Sequence, residues 1–334
     1  MMRKDALAKI AALSVPGKRA LLSTHVRPDG DGLGSEAALA RLLSEKGLVV
    51  EIWNHDLLPP EFEFLFEGLT LRDPDDTPPD DAYDLFFCLD VSISGRLGRV
   101  SKYLQKQKLV KIVLDHHLGS ETDADIILAD HTSAATGEVV YRLARNLNWP
   151  INQEVAGGLW IALHTDTGGF RFSNTTSNAL RTGAELLSTG IRPDALCERV
   201  YHNRRAAGLA LLGKALTTVQ ILEEGRCAVM HIDKEMYHDT GAGSADTDLF
   251  VNLLLQVIGV EVALFVYPTA EGKTKITMRG SKGRSIHELA LKLGGGGHAQ
   301  AAGATVETSI ADTRALVCRE ASKMFSGSEE LMDR

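Results

Sequence analysis

Three near-continuous apolar runs, each closing on an acidic residue, limit what this chain can fold into. Tyr83-Asp84-Leu85-Phe86-Phe87-Cys88-Leu89 ends in Asp90, Leu109-Val110-Lys111-Ile112-Val113-Leu114 ends in Asp115-His116-His117, and Ile126-Ile127-Leu128-Ala129 ends in Asp130. Strands without polar alternation are covered on both faces, as in a parallel sheet. A shorter run, Ala20-Leu21-Leu22, reads the same way and leads into His25-Val-Arg-Pro-Asp29-Gly-Asp31-Gly. Pro28, Gly30 and Gly32 make that connection a loop, and the helical spacing of Leu39, Leu42 and Leu43 follows, stopped by Gly47. A histidine and two carboxylates therefore sit on a strand's C-terminal end, where open α/β sheets bind ligands.

At 334 residues the chain has room for about two domains. An apolar fraction of 44% and a charged fraction of 24% are those of a water-soluble protein, and no apolar run is long enough to cross a membrane. Residues 1–18 read as an amphipathic helix without a signal-peptide core. Cys88, Cys197, Cys227 and Cys318 are isolated, which favours reduced thiols and a cytoplasmic location. A net charge of −8 argues against a surface for long duplex nucleic acid. It leaves room for a small phosphorylated substrate, since bound cations invert the local sign.

The fold expected is α/β: a doubly wound, mostly parallel sheet followed by a smaller α+β domain. The boundaries read as 1–190 for the first domain, 191–224 for a helical linker, 225–326 for the second domain and 327–334 for a flexible tail. The acidic, proline-rich stretch 73–82 is a solvated loop. In the second domain, apolar runs at 228–232, 260–267 and 273–278, helical patterns at 249–258, 286–293 and 310–325, and a short strand near Ala304 surround four successive glycines, Gly294 to Gly297, and His298.

One strand-end acid is an ordinary turn residue. A series of them raises the electrostatic cost of each next one unless a cation offsets the repulsion. His25, Asp29, Asp31, Asp90, Asp115, His116, His117 and Asp166 form such a series. Imidazole and carboxylate suit Mn²⁺ better than Mg²⁺. Two cations about 3.5–4 Å apart are the usual apparatus for hydrolysing phosphate esters. His164, four residues from Trp160 on an apolar helix, reads as a core histidine. Successive glycines can offer their amides to an anion or simply end a helix; four exceed what a helix end needs, and the anion reading is favoured. Arg279 just upstream suits phosphate. Ser133 reads as the cap of a following helix, and Arg171 and Asn174 as residues near the substrate.

His25-x-x-x-Asp29-x-Asp31, Asp90, Asp115-His116-His117 and Asp166 with its Thr-Gly neighbours resemble the motifs of the DHH phosphoesterases. The run Gly294 to Gly303 resembles the glycine-rich signature of the DHHA1 domain. The motifs occur in order over nearly the whole chain, and the bare two-domain layout is most similar to the NrnA-like nanoRNase/pAp-phosphatase branch. The resemblance implies a two-Mn²⁺ centre, with Mg²⁺ as the alternative. His25 and Asp29 would hold one ion, Asp31, His116 and Asp166 the other, and Asp90 would bridge. Asp115 would orient an imidazole, and His117 would face the substrate phosphate or pack beneath the site. Arg279, Ser281, Gly295, Gly296, Gly297 and His298 would bind substrate. The family's Arg-Ser pair is here split by Gly280. The implied reaction is hydrolysis of oligoribonucleotides of two to five residues, or of pAp, in a cleft between the domains. Alternatives are hydrolysis of pApA or cyclic-di-AMP, a RecJ-like exonuclease on single-stranded DNA, and a silent nucleotide sensor. A homodimer is compatible with the chain, and no membrane partner is expected.

Overall fold

The computed structural model describes residues 4–91, 94–117, 124–247, 250–269, 271–281, 283–297 and 299–329. It divides into two compact units, residues 1–203 and 204–334. The first contains α1 (Lys4–Leu13), β1 (Arg19–Ser23), α2 (Gly30–Glu45), β2 (Val49–Ile52), β3 (Leu85–Leu89), α3 (Arg99–Leu104), β4 (Val110–Asp115), β5 (Ile126–Ala129), α4 (Thr136–Asn146), α5 (Gln153–Asp166), α6 (Ser177–Leu187) and α7 (Pro193–Tyr201). Its five strands are all parallel, in the order β2-β1-β3-β4-β5. The chain winds one way from β1 and the other way from β3, so the switch point of the sheet falls between those strands.

Both faces of this sheet are covered, as the unbroken apolar runs require. On β3, Leu85, Phe87 and Leu89 pack into the larger core with α2, α4 and α5, while Phe86 and Cys88 face Trp53, Tyr103 and Leu104 on the other side. Helix α2 begins at Gly30, so Gly30 and Gly32, read as loop residues, lie in its first turn. The Asp29 carboxylate accepts from the Asp31 and Gly32 amides and caps it. Helices α2, α4 and α5 come together through small residues. A Cβ at Gly34 would lie 2.4 Å from the Gly158 carbonyl oxygen, and one at Gly137 would lie 2.4 Å from the Ala162 Cβ. That backbone proximity carries α2 and α5 to the same end of the sheet.

The second unit contains α8 (Ala206–Leu216), β6 (Gln220–Leu222), β7 (Cys227–His231), α9 (Lys234–Thr240), α10 (Phe250–Leu254), β8 (Val262–Pro268), β9 (Thr274–Gly280), α11 (His287–Lys292), β10 (Gly296–Gly297), β11 (Ala301–Val306) and α12 (Ile310–Glu329). Its mixed sheet runs β10-β11-β9-β8-β7-β6, with only β7 and β8 parallel. Helices α11 and α12 build the core on one face, and α8 and α10 that on the other.

The segment 191–224, expected as a linker, is shared between the units. Helix α7 joins the first unit's core through Val200 and Leu196, α8 joins the second through Leu211 and Ala215, and β6 pairs with β7. Helix α9 has no buried residue and so no apolar period to reveal it. Helix α12 continues to Glu329, past the expected start of the tail. All four cysteines are unpaired, and among the described residues no helix is long and apolar enough to cross a membrane.

The contact between α2 and α5 generates the first prediction. Replacing Gly34 by Val forces the Gly158 backbone away, at about 1–3 kcal/mol for overpacking. The thermal midpoint of the Gly34→Val chain should fall by several degrees, measured by calorimetry. An unchanged midpoint would mean the two helices are free to separate.

Candidate metal centre

The ends of β1, β3 and β4, the start of α2 and the end of α5 meet at the switch point. Asp90, immediately after β3, is the common member. It is buried, and its backbone is left-handed, with φ of 56°, a region that aspartate tolerates better than most residues. Its Oδ2 lies 3.4 Å from His25 Nε2, and its Oδ1 lies 3.6 Å from His116 Nε2. The two oxygens of one carboxylate thus face two different imidazoles. His25 Nε2 also lies 3.8 Å from Asp29, and His116 Nε2 lies 3.6 Å from Asp31 and 3.7 Å from Asp166. Among the described residues, three groups of potential ligand atoms, each within 4.8 Å of one another, result: His25–Asp29–Asp90, Asp31–His116–Asp166 and Asp90–His116–His117.

The imidazoles are oriented by backbone carbonyls. His25 Nδ1 is 2.9 Å from the Val26 carbonyl oxygen, and His116 Nδ1 is 3.4 Å from that of Ser133. With a cation bound, a proton on Nδ1 directed at those carbonyls would leave each Nε2 free to ligate it. Asp31 is positioned by α4. Its Oδ2 accepts from the Thr136 amide at 2.7 Å, and its Oδ1 from the Gly137 amide at 2.9 Å and the Ser35 hydroxyl at 3.3 Å. The α4 N-terminus is therefore capped by Asp31, from more than 100 residues away, and not by Ser133. Ser133 instead accepts from Arg142. The Thr136 hydroxyl donates to Asp90 Oδ1 at 3.0 Å.

Asn174, expected near the substrate, donates to Asp166 Oδ2 at 3.0 Å and to the Asp166 and Ala134 carbonyls. It acts on a site carboxylate from behind. The exposed Arg171 turns back to the Gly168 carbonyl. Asp115 Oδ1 accepts from the His116 and His117 amides and lies 2.8 Å from His117 Nδ1, so the imidazole it orients is that of His117. His164 stacks on Trp160 and meets the Tyr201 hydroxyl. Asp130 pairs with Arg142 and binds the Thr132 amide and hydroxyl, an ordinary turn.

The electrostatics of the bare residues favour a cation. Burial first, then the charges of Asp90 and Asp166, push the Asp31 carboxyl well above the usual range. Burial together with the charges of Asp90 and Asp29, opposed by His116, pushes Asp166 up to about 6. Burial works against the His25 imidazolium, but hydrogen bonding to Asp29 and Asp90 outweighs it and pushes the group up to about 10. These side chains are short of positive charge, and divalent cations would supply it.

A buried polar network lies behind the centre. Glu36, fully buried on α2, accepts from the Asn54 side-chain amide at 2.8 Å. Asn54 Oδ1 accepts from the Thr24 amide at 2.9 Å and the Ser23 hydroxyl at 3.1 Å, and the Thr24 hydroxyl donates to the Leu89 carbonyl at 2.9 Å. Thr24 and Leu89 each immediately precede a site residue, His25 and Asp90. Gly32 leaves room for this, since a Cβ there would lie 2.3 Å from the Thr24 hydroxyl. Neither Glu36 nor Asn54 stands out in the sequence, for nothing near either position marks a partner 18 residues away.

The second unit holds Arg279, Ser281 and the glycine run; Lys282 and His298 lie outside the described residues. The Arg279 guanidinium donates to the Met278 carbonyl at 3.1 Å. Gly280, which splits the Arg-Ser pair, is imposed by packing: a Cβ there would lie 2.2 Å from the Arg284 carbonyl oxygen. The first two glycines of the run depart from the expected anion cradle. The Gly294 and Gly295 amides donate to the Leu291 and Ala290 carbonyls at the end of α11, the helix-ending role. Gly296 and Gly297 pair with β11. Side chains at Gly295 and Gly297 would collide with the β11 backbone.

Glu36 provides a test. Burial raises its pKa from 4.5 to about 8, against the opposing effects of Asn54 and His25. The folded chain thus keeps its proton at pH values where the unfolded chain has lost it. Its contribution makes stability fall as pH rises from about 4.5 towards 8. Glu36→Gln should therefore raise the thermal midpoint at pH 8 and change it little at pH 5. An equal change at both values would contradict a protonated Glu36.

Comparison with known proteins places both units in known domain families. Residues 19–163 match the DHH family, N-terminal domain, and residues 227–324 match the DHHA1 domain. The chain is 35% identical over 287 residues to the bifunctional oligoribonuclease and PAP phosphatase NrnA of Thermus thermophilus, covering 86% of this chain and 83% of that one. It is 27% identical to the Bacillus subtilis protein of the same name, covering 90% and 95%. An exopolyphosphatase-related protein from Bacteroides fragilis has the same fold, with a TM-score of 0.89 at 23% identity, covering 100% of this chain and 99% of that one. The chain is a phosphoesterase of the DHH family with a DHHA1 second domain, and it is NrnA-like.

Proposed function

We propose that this chain hydrolyses terminal phosphoesters of oligoribonucleotides two to five residues long, and the 3′-phosphate of pAp, with a pair of divalent cations. The observation that carries the reading is the Asp90 carboxylate, whose two oxygens face His25 and His116 separately. In this reading His25, Asp29 and Asp90 would hold one cation, and Asp31, His116, Asp166 and Asp90 the other. Mn²⁺ suits the mixed imidazole and carboxylate set better than Mg²⁺. Such a pair activates a water and neutralises charge on the phosphoryl oxygens.

The remaining residues keep those donors in place or meet the substrate. Ser35 and the Thr136 and Gly137 amides hold Asp31, the Thr136 hydroxyl holds Asp90, and Asn174 holds Asp166. His117 is partly exposed and is bonded to Asp115, which raises its pKa. It is then suited to donate to a phosphate oxygen. Arg279 and Ser281, with Gly296, Gly297 and His298, are proposed to receive substrate phosphate. The unpaired cysteines accord with a cytoplasmic enzyme. The names of the relatives support both substrate classes.

The test is a Mn²⁺-supplemented assay on 5′-labelled RNA of two, five and twenty-four nucleotides, with pAp, pApA and cyclic-di-AMP in parallel. Loss of the dinucleotide and of pAp, with the 24-mer intact, is the expected result. Asp90→Ala should abolish turnover, and Arg279→Ala should act mainly on KM. Preference for the 24-mer would overturn the short-substrate reading, and turnover confined to pApA or cyclic-di-AMP would replace it. Asn174→Ala should weaken Mn²⁺ affinity about 10–100-fold, measured by calorimetry. An unchanged affinity would remove Asn174 from the account.

A further inference from the structure

The net charge of this chain is concentrated in one connection of the first unit, between β2 and β3. Residues 56–81 carry nine carboxylates against one arginine, Arg72, a balance equal to the −8 of the whole chain, so the remainder is neutral. Arg72 is itself taken up by Glu51 and Asp76, each at 2.8 Å. The same connection exposes large apolar side chains. Leu57 is 75% exposed and Leu71 is 41% exposed.

These side chains line a groove. One part, of about 690 Å³, is lined by Leu57, Leu58, Phe64 and Leu71, with Glu61 and Glu63 beside them. A second part, of about 260 Å³, shares Leu57, Leu58 and Leu71 and adds Asp56 and Asp73. The groove is built on fixed backbone. The Arg41 guanidinium donates to the Leu65 and Glu67 carbonyls at 2.8 and 3.0 Å, which holds the 3₁₀ turn Pro60–Phe66. On the Leu71 side, the Ile52 amide donates to the Thr70 carbonyl and the Arg72 amide to the Ile52 carbonyl, both at 2.9 Å. Glu67 meets Arg199 at 3.5 Å. Among the described residues no cation pairs with Glu61 or Glu63.

An apolar floor with an acidic edge selects its occupant by two criteria, apolar contact and sign of charge. Nucleic acid and anionic lipid carry the wrong sign. A second copy would set this acidic segment against acidic surface of its own kind. A small polycation satisfies the carboxylates but leaves Leu57 and Leu71 in water. A peptide segment with both basic residues and apolar anchors meets both criteria.

We propose that this groove docks a basic segment of a partner protein, its apolar side chains against Leu57, Phe64 and Leu71 and its cations at Glu61 and Glu63. The docking site stands independently of the hydrolytic reading above.

The experiment is fluorescence anisotropy of the full-length chain with a fluorescein-labelled nonapeptide that has Leu at every third position and Lys elsewhere. A second peptide, with Ser in place of Leu, carries the same charge without the anchors. The Leu peptide should bind saturably and the Ser peptide about tenfold more weakly, the scale of one buried apolar side chain. Leu57→Asp separates the groove from charge alone. It adds a carboxylate and removes an apolar contact, so simple attraction predicts tighter binding and docking in the groove predicts about tenfold weaker binding. Glu61→Lys combined with Glu63→Lys should weaken binding and flatten its salt dependence. Leu57 and Glu63 are exposed and Glu61 is half-buried, so the variants should keep the parent melting temperature. No saturable binding, equal binding of the two peptides, or unchanged or tighter binding by Leu57→Asp would each overturn the proposal. Sedimentation velocity of the unmodified chain gives a further check. A dimer that Leu57→Asp dissociates would assign the groove to a second copy and overturn it as well.

Discussion

Like charges brought together are the constraint on which the first unit depends. Asp31, Asp90 and Asp166 are carried to one point by a helix start, a strand end and a helix end, and each raises the cost of ionising its neighbours. A fold would not gather them by chance of packing, since nothing in an apolar core requires a carboxylate. The imidazoles of His25 and His116 offset part of the repulsion. The rest of the fold holds the arrangement rigid enough to receive cations.

That rigidity comes from two sources that act at different ranges. Close packing of α2 with α5 and of α4 with α5, through Gly34, Gly158, Gly137 and Ala162, brings the helix ends into register with the sheet. Hydrogen bonds then fix individual atoms. Asp31 spends both oxygens on the start of α4, Thr136 ties that helix to Asp90, and the Glu36–Asn54–Thr24 chain joins α2 to the ends of β1 and β3. Because these bonds are buried, losing one partner leaves another polar group unsatisfied, a cost of about 1–3 kcal/mol. Site geometry and stability are thus coupled in the same residues.

The strands of the first unit were legible because strands buried on both faces leave unbroken apolar runs, and their terminal acids and histidines stood next to those runs. The residues that hold the site were not legible. Asn54 reaches Glu36 across 18 positions and Thr136 reaches Asp31 across 105, and nothing local in the sequence marks either partner. The glycine run shows the opposite difficulty. Its composition suits an anion cradle, but where β11 crosses it closely, Gly295 and Gly297 are required by packing, and the Gly294 and Gly295 amides serve α11. Helix α9 escaped because none of its residues is fully buried, so no long apolar period marks it.

The central claim is that one carboxylate, Asp90, is shared between two cations. Electron paramagnetic resonance of the Mn²⁺-loaded chain tests this most directly. The account predicts an exchange-coupled signal from two Mn²⁺ per chain, replaced by uncoupled or single-ion spectra in Asp90→Asn. Two magnetically independent Mn²⁺ ions in the unmodified chain, or one ion at saturation, would contradict it.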